Sequence, residues 1–322
     1  MRLHVINCGC MRPYGGRFWD GLTNGLGPAR LACRCLVAEA DDGLVLVDTG
    51  FGLRDIETPA ERLPAMATAD RPDLNPDDTA VARLRALGHR PEDVRHIVMT
   101  HLDFDHAGGI HDFPNATVHV HAFEAAAAVE RAGVIERQRY QPAQLPADMK
   151  TYDPRDARTE WMGLQALALE HGAPSGILLV PLPGHTRGHC GVAIDTGRAE
   201  GGGWVLHAGD AIFMHSELRA EGAAPPLAKS YEAMMQANGE ARHASAALLR
   251  GLAAERAGEV EILCTHDPVT PPATAATRPA PGPTRRPDPR RPDDRSVRNA
   301  DPEDLHPRQP LDARPAPHRR SP

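Results

Sequence analysis

The stretch Thr100-His101-Leu102-Asp103-Phe104-Asp105-His106-Ala107-Gly108-Gly109 constrains this chain more than any other, because it sets four potential metal donors within six residues. The run before it, Arg95 to Met99, is apolar and β-branched at its centre and predicts a short buried strand. In extended backbone, residues i, i+2 and i+4 lie on one side. His101, Asp103 and Asp105 are therefore placed to converge as the strand ends. His106 follows at the turn, where the change of backbone direction can aim it at a second ion. Imidazole with carboxylate suits zinc, iron or manganese and does not suit an all-oxygen calcium cage. A polar strand end with solvated charges would account for a single His-Asp pair, but not for His-x-Asp-x-Asp-His followed by two glycines.

The same placement recurs along the chain. A strand is expected at Leu3 to Asn7, then a Gly-rich loop from Cys8 to Arg30. Two strands, Leu31 to Ala40 and Leu44 to Val47, are joined by the turn signal Asp41-Asp42-Gly43. The second runs into Asp48-Thr49-Gly50, where Asp48 either caps a turn or orients a metal ligand. Residues 54–76 read as irregular, and Asp77 or Asp78 as the cap of a helix through Leu87. Thr117 to His121 predicts a strand and Ala122 to Ala132 a helix. His119 and His121 share a strand face and read as solvent-side or packed histidines before ligands. Residues 134–176 hold Tyr140, Tyr152 and Trp161, which suit either a pocket wall or plain packing. Strands are expected again at Ile177 to Val180, Cys190 to Ile194 and Trp204 to Leu206. A helical region follows over about 230–256, and a last strand at Val260 to Cys264. After these strands stand Gly184-His185-Thr186-Arg187-Gly188-His189, Gly209-Asp210 and Thr265-His266. Catalytic groups gather where strands stop and loops begin.

Charge divides the chain. Residues 271–322 carry 11 Arg, no Lys and 7 Asp+Glu, a net of +4, whereas the whole chain is −7; residues 1–270 therefore carry −11. An acidic body argues against a nucleic-acid surface, and no apolar run approaches the roughly 18–20 residues of a membrane span. The segment 271–322 is rich in Pro and Arg with almost no large apolar residue, and predicts a disordered tail behind a catalytic domain of residues 1–270. The six cysteines form two C-x-C pairs, Cys8/Cys10 and Cys33/Cys35, plus Cys190 and Cys264. Neither pair has zinc-ribbon spacing, so core thiols in a reduced, cytoplasmic protein are expected.

Taken together, Thr100-His101-x-Asp103-x-Asp105-His106-x-Gly-Gly, Gly184-His185-Thr186-x-Gly188-His189, Gly209-Asp210 and Thr265-His266 resemble the metallo-β-lactamase superfamily in order and spacing. The resemblance covers about residues 1–270. It implies an α/β fold: an αββα four-layer sandwich of two mixed β-sheets with a dinuclear metal site along one edge. By that resemblance His101, Asp103 and His185 would hold one ion, Asp105, His106 and His266 the other, and Asp210 would bridge them, with His189 behind. The ions would be two divalent metals, zinc first. Most hydrolases of the superfamily have His where this chain has Asp103, and a carboxylate there moves preference toward iron or manganese. The implied activity is hydrolysis by a metal-bound hydroxide that Asp105 helps to orient. The substrate would be a small molecule, a carboxylic ester or lactone (acyl-homoserine lactones included). The alternative is a non-heme iron oxidoreductase or dioxygenase on the same fold. A thioester hydrolase or a β-lactamase ranks behind both. No nucleic acid, no membrane and no particular oligomeric state is implied.

Overall fold

The computed structural model describes residues 1–156, 158–197, 203–219 and 221–269. The expected tail, 271–322, and the domain boundary before it lie outside the described residues.

Alternating burial along the strands dictates two layers. Six strands, β1 (Arg2–Met11), β2 (Leu31–Ala40), β3 (Gly43–Val47), β4 (Val94–Val98), β5 (Thr117–His121) and β6 (Lys150–Tyr152), make one sheet in that order. The other sheet runs β12 (Val260–Leu263), β11 (Trp204–His207), β10 (Cys190–Asp195), β9 (Ile177–Pro181), β8 (Leu164–Ala168), β7 (Arg158–Trp161). Both are mixed. β1–β2–β3 are antiparallel and β3–β4–β5–β6 parallel. β11 and β12 are parallel, and the remaining pairs of the second sheet antiparallel.

Period-two side-chain placement sends neighbouring residues into different cores. Leu36, Ala38, Val45, Val47 and Val98 point inward and meet Leu167, Leu179, Val192, Ile194, Val205 and Leu263 of the facing sheet. Their neighbours Cys35, Val37, Leu44, Leu46 and Ile97 point outward. They are covered by Ala80, Val81 and Leu84 of the helix Ala80–Ala86 and by Ala127 and Ala128 of the helix Ala122–Glu130. On the far side, Ala246, Leu249 and Leu252 of the helix Gly239–Glu255 cover Val180, Ala193, Leu206 and Ile262. The layers are thus helix, sheet, sheet, helix. Truncating a fully buried member such as Leu36 to Ala costs about 2–5 kcal/mol in a core of this kind.

Several local expectations are corrected. β1 continues to Met11 because a register shift between Asn7 and Cys10, with Gly9 at φ 123°, keeps the strand paired where a loop was expected. Residues 54–76 contain three short helices, Leu53–Glu57, Pro59–Arg62 and Ala67–Asp70. Thr79 caps the helix Ala80–Ala86 by accepting from the Ala82 N–H, in place of Asp77 or Asp78. The late helical region breaks at 236–238 into Pro226–Met235 and Gly239–Glu255, with Asn238 capping the second. Residues 134–176 supply a helix, Gly133–Arg139, and β6 to β8; their Tyr140, Tyr152 and Trp161 are buried, and Tyr140 also lines a cavity beside Arg139.

Candidate metal centre

The C-terminal ends of β3, β4, β11 and β12 and the turn between β9 and β10 meet along one edge of the sandwich. Backbone hydrogen bonds stitch the two sheets there: Cys190 N–H to Thr100 O at 2.9 Å, Arg34 N–H to Thr265 O at 3.2 Å. After β4 the chain stays extended through Asp103 and then turns into the helix Phe104–Ala107. Asp103 sits at that helix's N-cap, yet its side chain makes no capping bond. It is turned toward His185 instead, with Oδ2 3.1 Å from His185 Nε2 and 3.6 Å from His101 Nε2.

Asp105 and His106, inside the helical turn, face the other way. Asp105 Oδ2 lies 3.8 Å from His106 Nε2 and 3.7 Å from His266 Nε2. Asp210 stands between the two sets: Oδ1 is 3.3 Å from His106 Nε2, while Oδ2 is 3.0 Å from His266, 3.7 Å from His185 and 3.9 Å from His101 Nε2. All seven side chains are buried. The structure therefore brings His101, Asp103, Asp105, His106, His185, Asp210 and His266 into one buried cluster: His101, Asp103 and His185 form one close group, His101, His106 and Asp210 an adjoining one, and Asp105 and His266 a third with Cys33.

The donor set fits metal ions. Tetrahedral bonds of 2.0–2.1 Å separate neighbouring donor atoms by about 3.3–3.4 Å, and the spacings above straddle that value. His101 Nε2, His106 Nε2 and Asp210 Oδ1 are buried without a hydrogen-bond partner, an arrangement that costs free energy unless something occupies the space between them. The outer nitrogens of three histidines are engaged, which leaves Nε2 as a lone pair. His106 Nδ1–H donates to Asp48 Oδ2 at 2.8 Å, His266 Nδ1–H to Ala32 O at 2.7 Å, and His101 Nδ1–H to Thr100 Oγ1 at 2.9 Å. His185 Nδ1 lacks such a partner among the described residues; its ring lies against Phe213, centroids 6.1 Å apart.

Electrostatics follow from this crowding. Burial works against charge throughout, but Asp210, Asp105 and Asp48 hold the His106 imidazole well above its ordinary range. Burial likewise opposes the Asp103 charge, and Arg139 and then His101 keep its carboxyl well below the usual carboxylate range. Burial, with Arg139 adding to it, pushes His185 down to about 4 despite the Asp103 hydrogen bond. The carboxylates thus favour positive charge at His106, and a cation among them would compete with that proton.

Of the two roles expected for Asp48, the structure shows that of orienting a histidine of the cluster, His106. Besides His106 it accepts from the Thr100 N–H at 2.8 Å and the Thr100 hydroxyl at 2.7 Å. It sits at φ 56°, a left-handed conformation that a non-glycine residue keeps only when its surroundings hold it there. His189 does the same for Asp210. It donates from Nδ1 to Leu182 O at 3.1 Å and accepts the Asp210 N–H on Nε2 at 2.9 Å. His119 and His121 are packing groups: His119 lies between Tyr152 Oη (2.8 Å) and His96 Nδ1 (2.9 Å), and His121 caps a helix.

Sequence reasoning missed two charged residues. Glu124 accepts from the Leu102 N–H (3.0 Å), the Thr186 hydroxyl (2.6 Å) and the Gly188 N–H (3.1 Å), tying the His101 loop to the His185 loop. Gly188 is glycine because a Cβ there would run into the Glu124 backbone. Arg139, fully buried, pairs with Asp103. Cys33, expected in the core, is buried beside Asp105 and His266. All six cysteines are free thiols, Cys10 half-buried and the rest buried.

A two-sheet sandwich with a buried His/Asp constellation at its edge defines a class of metal-binding fold. Its family is shown by comparison: the chain belongs to the metallo-β-lactamase superfamily, whose profile matches residues 29–249. A probable metallo-hydrolase of Mycobacterium tuberculosis is 37% identical over 268 residues, 83% of this chain and 81% of that protein. The N-acyl homoserine lactonase of Bacillus cereus is 27% identical over 190 residues, 58% of this chain and 66% of that protein. A solved N-acyl homoserine lactone hydrolase, with N-hexanoyl-L-homoserine at its catalytic metal centre, superposes with a TM-score of 0.59 at 22% identity, covering 82% of this chain and 92% of that one. No helix among the described residues is long and apolar enough to cross a membrane.

Proposed function

We propose that the protein is a metallo-hydrolase that opens a carboxylic ester or lactone, with acyl-homoserine lactones in the substrate class. The observation that carries this is the convergence of unpartnered, buried Nε2 and carboxylate atoms at donor–donor spacing. His101, Asp103 and His185 would hold one divalent ion, Asp105, His106 and His266 a second, with Asp210 shared and zinc the expected metal. Such ions supply Lewis acidity and a water that ionises near neutral pH. The chain's own residues do the rest. Asp105 accepts a hydrogen bond from the attacking water and orients it. Asp48, Thr100, His189 and Ala32 O fix the donors so that little reorganisation is needed on reaction.

Beside the cluster lies a buried apolar group of Phe51, Phe104, Phe213 and Met214, with Trp19 and Tyr231 partly buried against it, and of these Met214 reaches a cavity. Phe213 packs 4.7 Å from the His266 ring. Next to it a cavity of about 490 Å³ is lined by Met214, His215, Pro225 and Asp267 among others, and Met214 and Asp267 are the chain neighbours of Phe213 and His266. Apolar surface next to polarising groups suits an acyl chain attached to an ester carbonyl. The acidic body supports a small-molecule substrate over nucleic acid, and free thiols suit a reducing, cytoplasmic setting.

The test is a panel of lactones and esters offered to the full-length protein before and after chelation. The reading expects turnover that is lost on stripping, restored by zinc, and absent in His185→Ala and Asp210→Ala. Oxygen uptake without hydrolysis would replace it with an iron oxidoreductase.

A further inference from the structure

Asp103 is the one position where this chain departs from the common His-x-His-x-Asp-His pattern, and the structure shows what accompanies the change. A third carboxylate beside Asp105 and Asp210 adds a negative charge to a closed site. The Arg139 guanidinium lies against it: Nη1 is 3.2 Å from Asp103 Oδ1 and donates to His185 O, also at 3.2 Å, while Nη2 donates to Met235 O. Arg139 is 1% exposed, among the largest fully buried side chains of the molecule. An isolated buried guanidinium is costly, so its presence here calls for a carboxylate partner in place. The two oxygens of Asp103 divide: Oδ1 faces Arg139, and Oδ2 faces His185 and His101.

We propose that Arg139 is a positioning residue that makes Asp103 behave as a neutral, one-oxygen donor. Its guanidinium faces Oδ1 as an ion pair at 3.2 Å without a hydrogen bond, holds the His185 backbone, leaves Oδ2 on the side of His185 and His101, and offsets the charge that Asp brings where His is the commoner choice. The pair restores the charge balance of a histidine ligand and keeps the first set suited to zinc, although a free carboxylate would favour harder ions. This rests on the reading of His101, Asp103 and His185 as donors to one ion.

The test uses full-length parent, Arg139→Met and the double variant Asp103→His/Arg139→Met. Each is stripped of metal, melted, and separately exposed to equimolar zinc and manganese, with bound metal counted by elemental mass spectrometry. The parent should prefer zinc. Arg139→Met should melt lower when stripped, and its manganese-to-zinc ratio should rise by at least about fivefold, because both Asp103 oxygens become free and an oxygen-richer site suits manganese over tetrahedral zinc. The double variant should return both readings toward the parent. A single variant that keeps the parent's ratio overturns the proposal and leaves the metal centre standing. A parent that binds neither cation overturns the metal centre and this proposal together. Should Arg139→Met fail to fold, a folded, zinc-preferring double variant supports the pairing, and a double variant that fails equally contradicts it.

Discussion

Asp48 Oδ2 accepts the His106 Nδ1 proton at 2.8 Å, and through the Thr100 hydroxyl the same oxygen reaches the Nδ1 side of His101. One buried carboxylate at the end of β3 therefore fixes a ring in each donor set. Replacing it leaves both rings free to rotate and removes the partner that favours the Nδ1–H form. Asp48→Ala should weaken metal binding by about 10–100-fold while the fold persists, since partners of this kind contribute that much to affinity. Competition against a chromogenic chelator measures it. Parent-like affinity in the variant would show that the rings are held by packing alone.

Glu124 predicts a stability effect of a different kind. Its carboxylate satisfies two buried N–H groups and a hydroxyl from the two loops that carry His101 and His185. Glu124→Ala strands those donors, and three such losses amount to about 3–5 kcal/mol. Urea denaturation of the metal-free protein gives the number directly. A loss under about 1 kcal/mol would mean that water takes over the carboxylate's place.

The visible and hidden parts of this site differ for a physical reason. His101, His106, His185, Asp210 and His266 could be read from the chain because each sits where an apolar run stops, and imidazole and carboxylate have few uses at such positions. Glu124 and Arg139 could not. Each lies on a helix, Ala122–Glu130 and Gly133–Arg139, where a charged residue ordinarily marks the solvated face. Only the tertiary packing buries them. The charge of Asp103 did call for a cation nearby, but among 36 Lys and Arg nothing in the spacing picks out Arg139. The strands were legible from their alternation, whereas the short helices of residues 53–70 are only four or five residues each, too brief to show a period.

Asp70 gives a pH dependence. Burial, and then the charge of Asp105, hold its carboxyl up at about 7, although the Tyr231 hydroxyl donates to it at 3.2 Å. The folded chain thus keeps a proton that the unfolded chain releases near pH 4. Its contribution favours the fold at low pH and is withdrawn as pH rises from about 4 to about 7, by at most about 4 kcal/mol. Asp70→Asn should flatten the stability of the metal-free protein over that window. Parallel curves for parent and variant would place the Asp70 pKa in the ordinary range.

The measurement that bears most directly on the whole account is the metal content of the full-length protein, purified without added metal, beside Asp210→Ala. Asp210 faces donors on both sides of the cluster, His106 and His266 on one and His185 on the other. The account predicts about two zinc per chain in the parent and at most about one in the variant. Equal content in the two proteins, or none in either, would contradict it.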